Sequence, residues 1–383
     1  MSAEGWTDIN LESTIEFRNG KSSPLRSENG LNPVFGGNGI IGFTDESNSN
    51  FETVIVGRVG AYCGNVYYHK GKCWVTDNAI IGKVREQCDG LFLYYLLKSI
   101  GLNNHRTGSS QPLVNQSILN SIKVKLPKEK QTQSRIASIL SALDEKIELN
   151  RQTNATLEAI AQAIFREWFV DFNFPGATGE MVESELGMIP RGWRMGTLGE
   201  EGTFKNGINY SRDENGDSLS PIVNVRDIVE SKFISKQNLD SVQINKQKAF
   251  PYLLSADDIL LVRSASPGET AILLQPEQDI IYSGFTIRYR LIKKEYFLYL
   301  FFIFQNLKNA LDHISNGTTL KNINQEMLKP YKVIIPNVET IIEFNNLIKP
   351  IFDSIQNTNQ QSATLAATRD ALLPKLMSGE VEV

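Results

Sequence analysis

The chain has 383 residues, 41% hydrophobic, 21% charged and 9% aromatic, which is ample apolar material for a core and too little charge for wholesale disorder, so two or three globular domains are expected. Its 39 basic and 43 acidic residues leave a formal charge of −4, arguing against a generally cationic surface while leaving local basic faces open. Three cysteines without a C-x-x-C pair, a start (MSAEGWTDIN) with neither basic nor apolar leader regions, and a most apolar run (Tyr296 to Phe304) about half the ~20 residues of a membrane span predict a reduced, cytoplasmic, non-membrane protein.

In chain order, β-branched and aromatic runs broken by glycine come first: FGGNGIIGF, TVIVGRVGAYCGNVYY and AIIGKV. They predict a strand-rich α/β part, with a helix near FLYYLLKSI. Beyond Pro127 glycine nearly vanishes and a long helix is expected. Its apolar positions step by four and three through Ile136, Leu140, Leu143, Ile147, Asn150, Asn154, Leu157, Ala161, Ile164 and Trp168, a heptad seam of more than four repeats and a rod of roughly 50 Å. A second strand-rich part follows (PIVNV, DILLVRSA, GFTIRYRLI), with a helix near FLYLFFIF. After Pro336 comes a second heptad seam: Ile341, Phe344, Ile348, Ile351, Ile355, Thr358, Ser362, Leu365, Arg369, Leu372 and Leu376. Such stripes on ordinary surface helices last two or three turns, so mutual packing of the two helices is favoured. Polar centres on both seams, Asn150 and Asn154 against Thr358 and Ser362, cost stability but fix register. Pro350 removes a helical hydrogen bond and predicts a kink or a restart there.

The order of parts repeats because the chain is duplicated. At an offset of 187, Trp6, Leu11, Phe17, Arg18, Asn19 and Gly20 meet Trp193, Leu198, Phe204, Lys205, Asn206 and Gly207. At 205, Arg58 meets Arg263 and Phe92-Leu93-Tyr94 meets Phe297-Leu298-Tyr299; at 209, Asn115, Gln116, Leu119, Val124 and Pro127 meet Asn324, Gln325, Leu328, Val333 and Pro336. The offset drifts through a few insertions and never reverses. A period of nearly 190 residues is too long for a solenoid, so one two-part unit has been copied in tandem.

Charge divides along the same lines. Residues 1–130 and 191–337 each carry a surplus of +2, whereas 131–190 and 338–383 carry −5 and −3. An anionic polymer would approach the globular parts, and the acidic helices would stand off from it or bind protein.

Catalytic chemistry is hard to find. No G-x-x-x-x-G-K-[ST] loop occurs, and Gly36, Gly37 and Gly39 sit among strand residues and open no helix. Cys63, His69 and Cys73 have spacings that fit no common zinc pattern and read as a buried cysteine patch. No Ser/His/Asp order, carboxylate pair or nucleophile elbow stands out.

Three stretches then point to a family: the helix exit AIFREWFVDFNFPG, the entry SELGMIPRGWRMGTLGE and the C-terminal LLPKLMSGEVEV. Together with the duplicated module-and-helix plan, which covers the whole chain, they resemble the specificity (S) subunit of type I restriction-modification systems. The resemblance implies an α/β fold of two tandem target-recognition domains, 1–131 and 191–337, separated by helical spacers at 132–172 and 338–383 with a linker at 173–190. The spacers are expected to pack as an antiparallel coiled coil, giving an internal pseudo-two-fold repeat. The resemblance further implies a non-catalytic subunit that reads a bipartite site in double-stranded DNA. It would dock two methyltransferase (modification) subunits and the restriction/translocase subunits. No cofactor is expected on this chain; S-adenosylmethionine, ATP and Mg belong to the partners. A bipartite protein with a rigid spacer fits a bipartite ligand whose half-site separation follows rod length.

Base readout needs forked or bidentate groups, Arg or Lys for guanine and Asn or Gln for adenine. The candidates are Lys21, Arg58, Arg106, Ser109, Ser110 and Gln111 in the first module, and Lys205, Asn209, Arg226, Arg263, Thr318, Thr319 and Lys321 in the second. Each can equally be solvated surface charge, and the repeated Arg58/Arg263 and Asn115/Asn324 can be structural hydrogen-bonders. Helix pairing and partner docking are assigned to Leu140, Leu143, Ile147, Asn150, Asn154, Leu157, Ile164, Phe165, Trp168, Phe169, Ile351, Ile355, Leu365 and Leu372. The aromatics of the helix exit can instead fill the junction with the second module. The competing function is a two-module coiled-coil scaffold for other proteins; a fused restriction enzyme would need a nuclease or methyltransferase motif that the sequence does not show.

Overall fold

The computed structural model describes residues 5–107, 112–211, 215–273, 279–314 and 322–383. Two compact units result: Met1–Asn150 with Gln361–Val383, and Arg151–Gln360.

Within the first unit, strand Trp6–Asn10 pairs antiparallel with Lys123–Pro127 and so ties the two ends of the globular part together. A four-stranded sheet runs in the order Ile15–Asn19, Ala79–Val84, Thr53–Gly57, Val66–His69, and a three-stranded sheet in the order Gly39–Thr44, Asn32–Gly36, Trp74–Val75, its last pair parallel. The second unit repeats the plan. Arg194–Thr197 pairs with Lys332–Ile335. The four-stranded order is Gly202–Asn206, Thr286–Leu291, Asp258–Val262, Thr270–Ile272, and the three-stranded order Asp240–Ile244, Ser218–Val223, Ile281–Tyr282, again ending in a parallel pair. The repeat first seen as scattered identities is thus a repeat of topology.

Continuous apolar runs sit at the third position of each four-stranded sheet because both faces there are covered. Val54 and Val56 turn towards helix Gly90–Ile100, packing with Phe92 and Leu93, while Ile55 joins Phe35, Val75 and Ile81 on the other face. In the second unit Ile259 and Leu261 meet helix Phe297–Ile314, while Leu260 and Val262 meet Val223 and Tyr282. Asp89 caps the first of these helices by accepting from the Phe92 N–H at 2.8 Å, and Gly101 ends it in the left-handed region.

Two long helices complete the units, Lys130–Phe169 and Val338–Ser378, each about 60 Å at ~1.5 Å per residue. They run antiparallel. In the first unit Leu140 shares a core with Leu376 and Met377, and Asn150 Nδ2 donates to Gln361 Oε1 (2.9 Å) and Ser362 Oγ (3.1 Å). In the second, Asn154 Nδ2 donates to Asn359 Oδ1 (2.7 Å) while its Oδ1 accepts from Thr358. Further along, Phe165, Trp168 and Phe169 pack around Phe344. The polar centre is therefore buried and paired: Asn150 is 1% and Asn154 8% exposed, as register-fixing residues must be. The second helix neither stops nor restarts at Pro350. Phe344 and Ile348 before the proline and Phe352 and Ile355 after it are all buried in one core, and that packing outweighs the lost hydrogen bond.

Candidate nucleic-acid interface

In each module some of the candidate readers lie around one loop that precedes a strand of the four-stranded sheet. In the first unit this loop is Thr76–Asn78. Strand Thr53–Gly57 delivers Arg58, whose N–H donates to the Asn78 carbonyl (2.9 Å) and whose carbonyl accepts from Val114 N–H (3.0 Å). Both backbone groups being bonded, the guanidinium starts from a fixed base; Nη1 reaches the Asp77 carbonyl at 3.4 Å and Nε is buried without a partner among the described residues. Lys21 arrives from the next strand by way of Gly20 and donates its N–H to the Val75 carbonyl (3.1 Å). An alanine Cβ at Gly20 would lie 2.0 Å from the Thr76 carbonyl oxygen, so only glycine permits this approach. Arg106 is exposed, next to Thr107, whose two backbone bonds with Leu113 (3.0 and 2.9 Å) hold the neighbouring strand-like segment. Lys21 and Arg58 are thus tied to segment 75–78, and Arg58 and, through its neighbour Thr107, Arg106 to 113–114.

The second unit builds the same corner from Ser283–Phe285. Arg263 donates its N–H to the Phe285 carbonyl and accepts from Ile323 N–H, both at 2.9 Å. Gly207 makes the close approach, with a Cβ position 2.1 Å from the Ser283 carbonyl oxygen, and Asn209 follows against Gly284. Phe285, whose carbonyl takes the Arg263 bond, is 65% exposed. Arg263 and Asn209 are therefore brought together.

Two other candidates are not. Lys205 Nζ donates to the Pro251 carbonyl (2.8 Å) and lies 4.7 Å over the Tyr252 ring. Arg226 is held by Asp227 (3.1 Å) and Asp240 (3.3 Å), carboxylates that occupy the fork a guanine would need. Ser109, Ser110, Gln111, Thr318, Thr319 and Lys321 lie outside the described residues. The repeated Asn115 and Asn324 are helix caps, accepting from Ile118 N–H (2.9 Å) and Met327 N–H (3.0 Å).

Among the docking candidates, Leu140, Asn150, Asn154, Phe165, Trp168, Phe169 and Ile355 are buried, and Leu143, Ile147, Leu157, Ile164, Ile351, Leu365 and Leu372 are half-buried. Phe165 stacks on Phe302 (5.0 Å, 21°) and Phe169 meets Tyr299 and Trp193 (4.8 and 5.8 Å). The aromatics of the helix exit thus fill the core of the second unit. Outward faces of the helices keep other large apolar residues exposed: Leu149, Ile160, Ile342 and Leu347. Cys63 and Cys73 are buried, burial pushing the Cys73 thiol up to about 11. Among the described residues no group of His, Cys, Asp and Glu could hold a metal ion, and no helix is long and apolar enough to cross a membrane.

Duplicated strand-rich modules, each presenting an arginine from a strand end and each followed by a long helix, define a tandem two-module protein, and the chain belongs to the family described as the type I restriction modification DNA specificity domain. The family's model matches twice, over residues 3–159 and 190–367. In sequence the chain is similar to the type I restriction enzyme MjaIX specificity subunit of Methanocaldococcus jannaschii, 29% identical over 308 residues, spanning 76% of this chain and 69% of that one. It is also similar to the HindI specificity subunit of Haemophilus influenzae, 27% identical over 332 residues, 70% of this chain and 71% of that one. Its fold matches the crystal structure of the type I restriction-modification S subunit from M. genitalium, with a TM-score of 0.63, 17% identity, and coverage of 97% and 96% of the two chains.

Proposed function

We propose that this chain is the specificity subunit of a type I restriction-modification complex, reading a bipartite target in double-stranded DNA with one half-site per module and performing no catalysis itself. The observation that carries the reading is the equivalence of the two corners. Arg58 and Arg263 leave equivalent strands, make equivalent backbone bonds, and differ in their surroundings, Asp77-Asn78 against Gly284-Phe285. A shared frame with different neighbours is what two readers of different half-sites require.

On this reading, half-site spacing follows the helical spacers, and two modification subunits and the restriction subunits dock on the helices, whose exposed Leu149, Ile160, Ile342 and Leu347 offer apolar contacts. S-adenosylmethionine, ATP and Mg are held by those partners. The surplus of acid on the helical segments fits protein docking better than DNA contact. The test is to map methylated bases in the host genome with and without this gene. Loss of one split, asymmetric motif methylated on both strands supports the reading. An unchanged methylome, with the partner methyltransferase shown to be expressed, refutes it in favour of a protein scaffold.

A further inference from the structure

The second unit adds a third cation to a pair that the first also carries: Arg18 and Lys83 stand where Lys205 and Arg290 stand, but Ile81 takes the place of Arg288. On its four-stranded sheet Lys205 stands directly across from Arg288, which stands across from Leu260; in the next row stand Thr203, Arg290 and Asp258. Strand alternation turns these side chains away from Ile287 and Tyr289, onto the face that Leu260 shares with Tyr282 and Leu254.

Arg290 is engaged there through two of its three nitrogens. Its Nε and Nη2 donate to the two Asp258 oxygens (2.7 and 2.6 Å), and Nη2 also reaches Ser255 Oγ (3.0 Å) and the Leu253 carbonyl (3.2 Å). Asp258 is thereby used up. Arg288 is 8% exposed, and its Nε is buried with no hydrogen-bond partner among the described residues. Tyr282 is 0% exposed and its hydroxyl is in the same condition. A buried guanidinium whose nearest carboxylate in the sheet, Asp258, is already bonded to a second arginine is costly, and a like charge directly opposite adds repulsion. Burial, then Arg288 and Arg290, push the Lys205 ammonium down from its ordinary value.

The first unit serves as an internal control. Its register sets Ile81 opposite Arg18, where the second sets Arg288 opposite Lys205. Val75 occupies the place of Tyr282, since Lys21 donates to its carbonyl as Ile208 donates to that of Tyr282. Ile81 and Val75 simply complete an apolar cluster with Phe35 and Ile55, and Arg18 is satisfied by the Asn48 carbonyl at 2.6 Å. The fold therefore has no need of charge at this position.

We propose that Arg288, Lys205 and the Tyr282 hydroxyl form a binding site for a phosphate-type oxyanion, present in the second unit only. The Arg288 guanidinium and the Tyr282 phenol supply donors, Lys205, one of whose three N–H groups is taken by the Pro251 carbonyl, adds positive charge and its remaining donors, and the anion supplies the missing acceptor. Its source is either free phosphate or a phosphate of the DNA backbone; the second source rests on the DNA-reading function proposed above.

The experiment uses the full-length protein, with R288I, which installs the residue the first unit carries, and Y282F. Thermal unfolding is followed in inorganic phosphate and in chloride at matched ionic strength. The wild type is expected to gain stability in phosphate beyond chloride, R288I to lose that gain and to unfold higher than wild type in chloride, and Y282F to weaken phosphate binding by about tenfold. DNA binding against salt separates the sources. For a backbone phosphate, R288I lowers the log–log salt slope by about 0.9; for a free anion the slope is unchanged. Phosphate-specific stabilisation in a wild type that binds no DNA would keep the site and refute the DNA reading alone. Equal stability of the wild type in phosphate and chloride, together with an unchanged salt slope, would overturn the proposal, as would an R288I protein less stable than wild type in chloride.

Discussion

Asp144 ties three elements of the first unit to one another, and its removal has a calculable consequence. Its Oδ2 accepts from the Tyr95 hydroxyl (2.7 Å) on helix Gly90–Ile100, and its Oδ1 accepts from Arg369 Nη1 (2.5 Å) on the second long helix. Tyr95 is 2% exposed and the side chains of Arg369 and Asp144 are 22% and 28% exposed, so the group is shielded more than a surface pair. In D144A the charge-assisted bond to arginine is lost, about 1.5–3 kcal/mol. A buried phenol is also left without an acceptor, about 1–3 kcal/mol. Arg369 keeps Asp370 at 2.8 Å, which places the total at about 3 kcal/mol.

Y95F removes the donor together with its demand and should cost only about 1 kcal/mol. The double variant should therefore fall short of the sum of the singles by about 1 kcal/mol or more. Because the chain has two units, global unfolding is a poor measure; hydrogen exchange of the Gly90–Ile100 amides in rising urea reports the first unit directly. A D144A cost below about 1 kcal/mol, or strict additivity with Y95F, would refute the reasoning. On the proposed function, D144A should also relax discrimination between targets of different spacer length while leaving half-site base preference intact.

Other consequences are simpler. G20A and G207A each drive a Cβ to within 2.0 and 2.1 Å of a carbonyl oxygen, and each should cost about 3 kcal/mol or more in chemical unfolding. R226A should leave DNA affinity almost unchanged, because Asp227 and Asp240 already engage that guanidinium, whereas R263A should cost about 1–3 kcal/mol and relax one target position in a binding assay across base substitutions. Cys73, with its thiol raised to about 11, should resist thiol-specific labelling at pH 8 until the protein unfolds. The same shift has a sign for stability: the buried thiol stays protonated after an unfolded one, of pKa ~8.5, has ionised, so its contribution is intact below ~8.5 and is lost as pH rises towards 11.

The long helices were legible because heptad spacing and missing glycine are local signals that survive without knowledge of the partner. Their continuity through Pro350 was not, since it depends on Phe344 and Phe352 being buried together, a tertiary fact. The duplication was legible in Trp6/Trp193, in Gly20/Gly207, which make the same close approach, and in Asn115/Asn324, which cap helices alike in both copies. Readers of DNA were harder to single out. Arg226 looked available until the fold brought Asp240 to it from 14 residues away. Nothing local marks Arg288, although T-I-R-Y-R-L alternates plainly. Alternation reveals which residues share a face and leaves open whether that face meets water or a second sheet.

Tandem duplication lets each module be compared with itself under the same constraints. Where the copies agree, a backbone requirement explains the residue: glycine at 20 and 207, asparagine at 115 and 324, and arginine backbones at 58 and 263 bonded to equivalent carbonyls and amides. Where they differ, packing leaves the choice free and something beyond folding has to explain it. Asn78 against Phe285 differs at a solvent-facing corner and fits two half-sites of different sequence. Ile81 against Arg288 differs inside a sheet face, where the apolar residue is the better folding choice, so the charged one points to a ligand. The tyrosine at 95 and the leucine at 300 differ as well: both modules pack on their helices through apolar cores, and the first adds the Tyr95–Asp144–Arg369 bonds to its own. Directional bonds add a preferred geometry to an apolar contact, so on the proposed function single substitutions at Asp144 should disturb target phasing more than equally destabilising ones around Leu300.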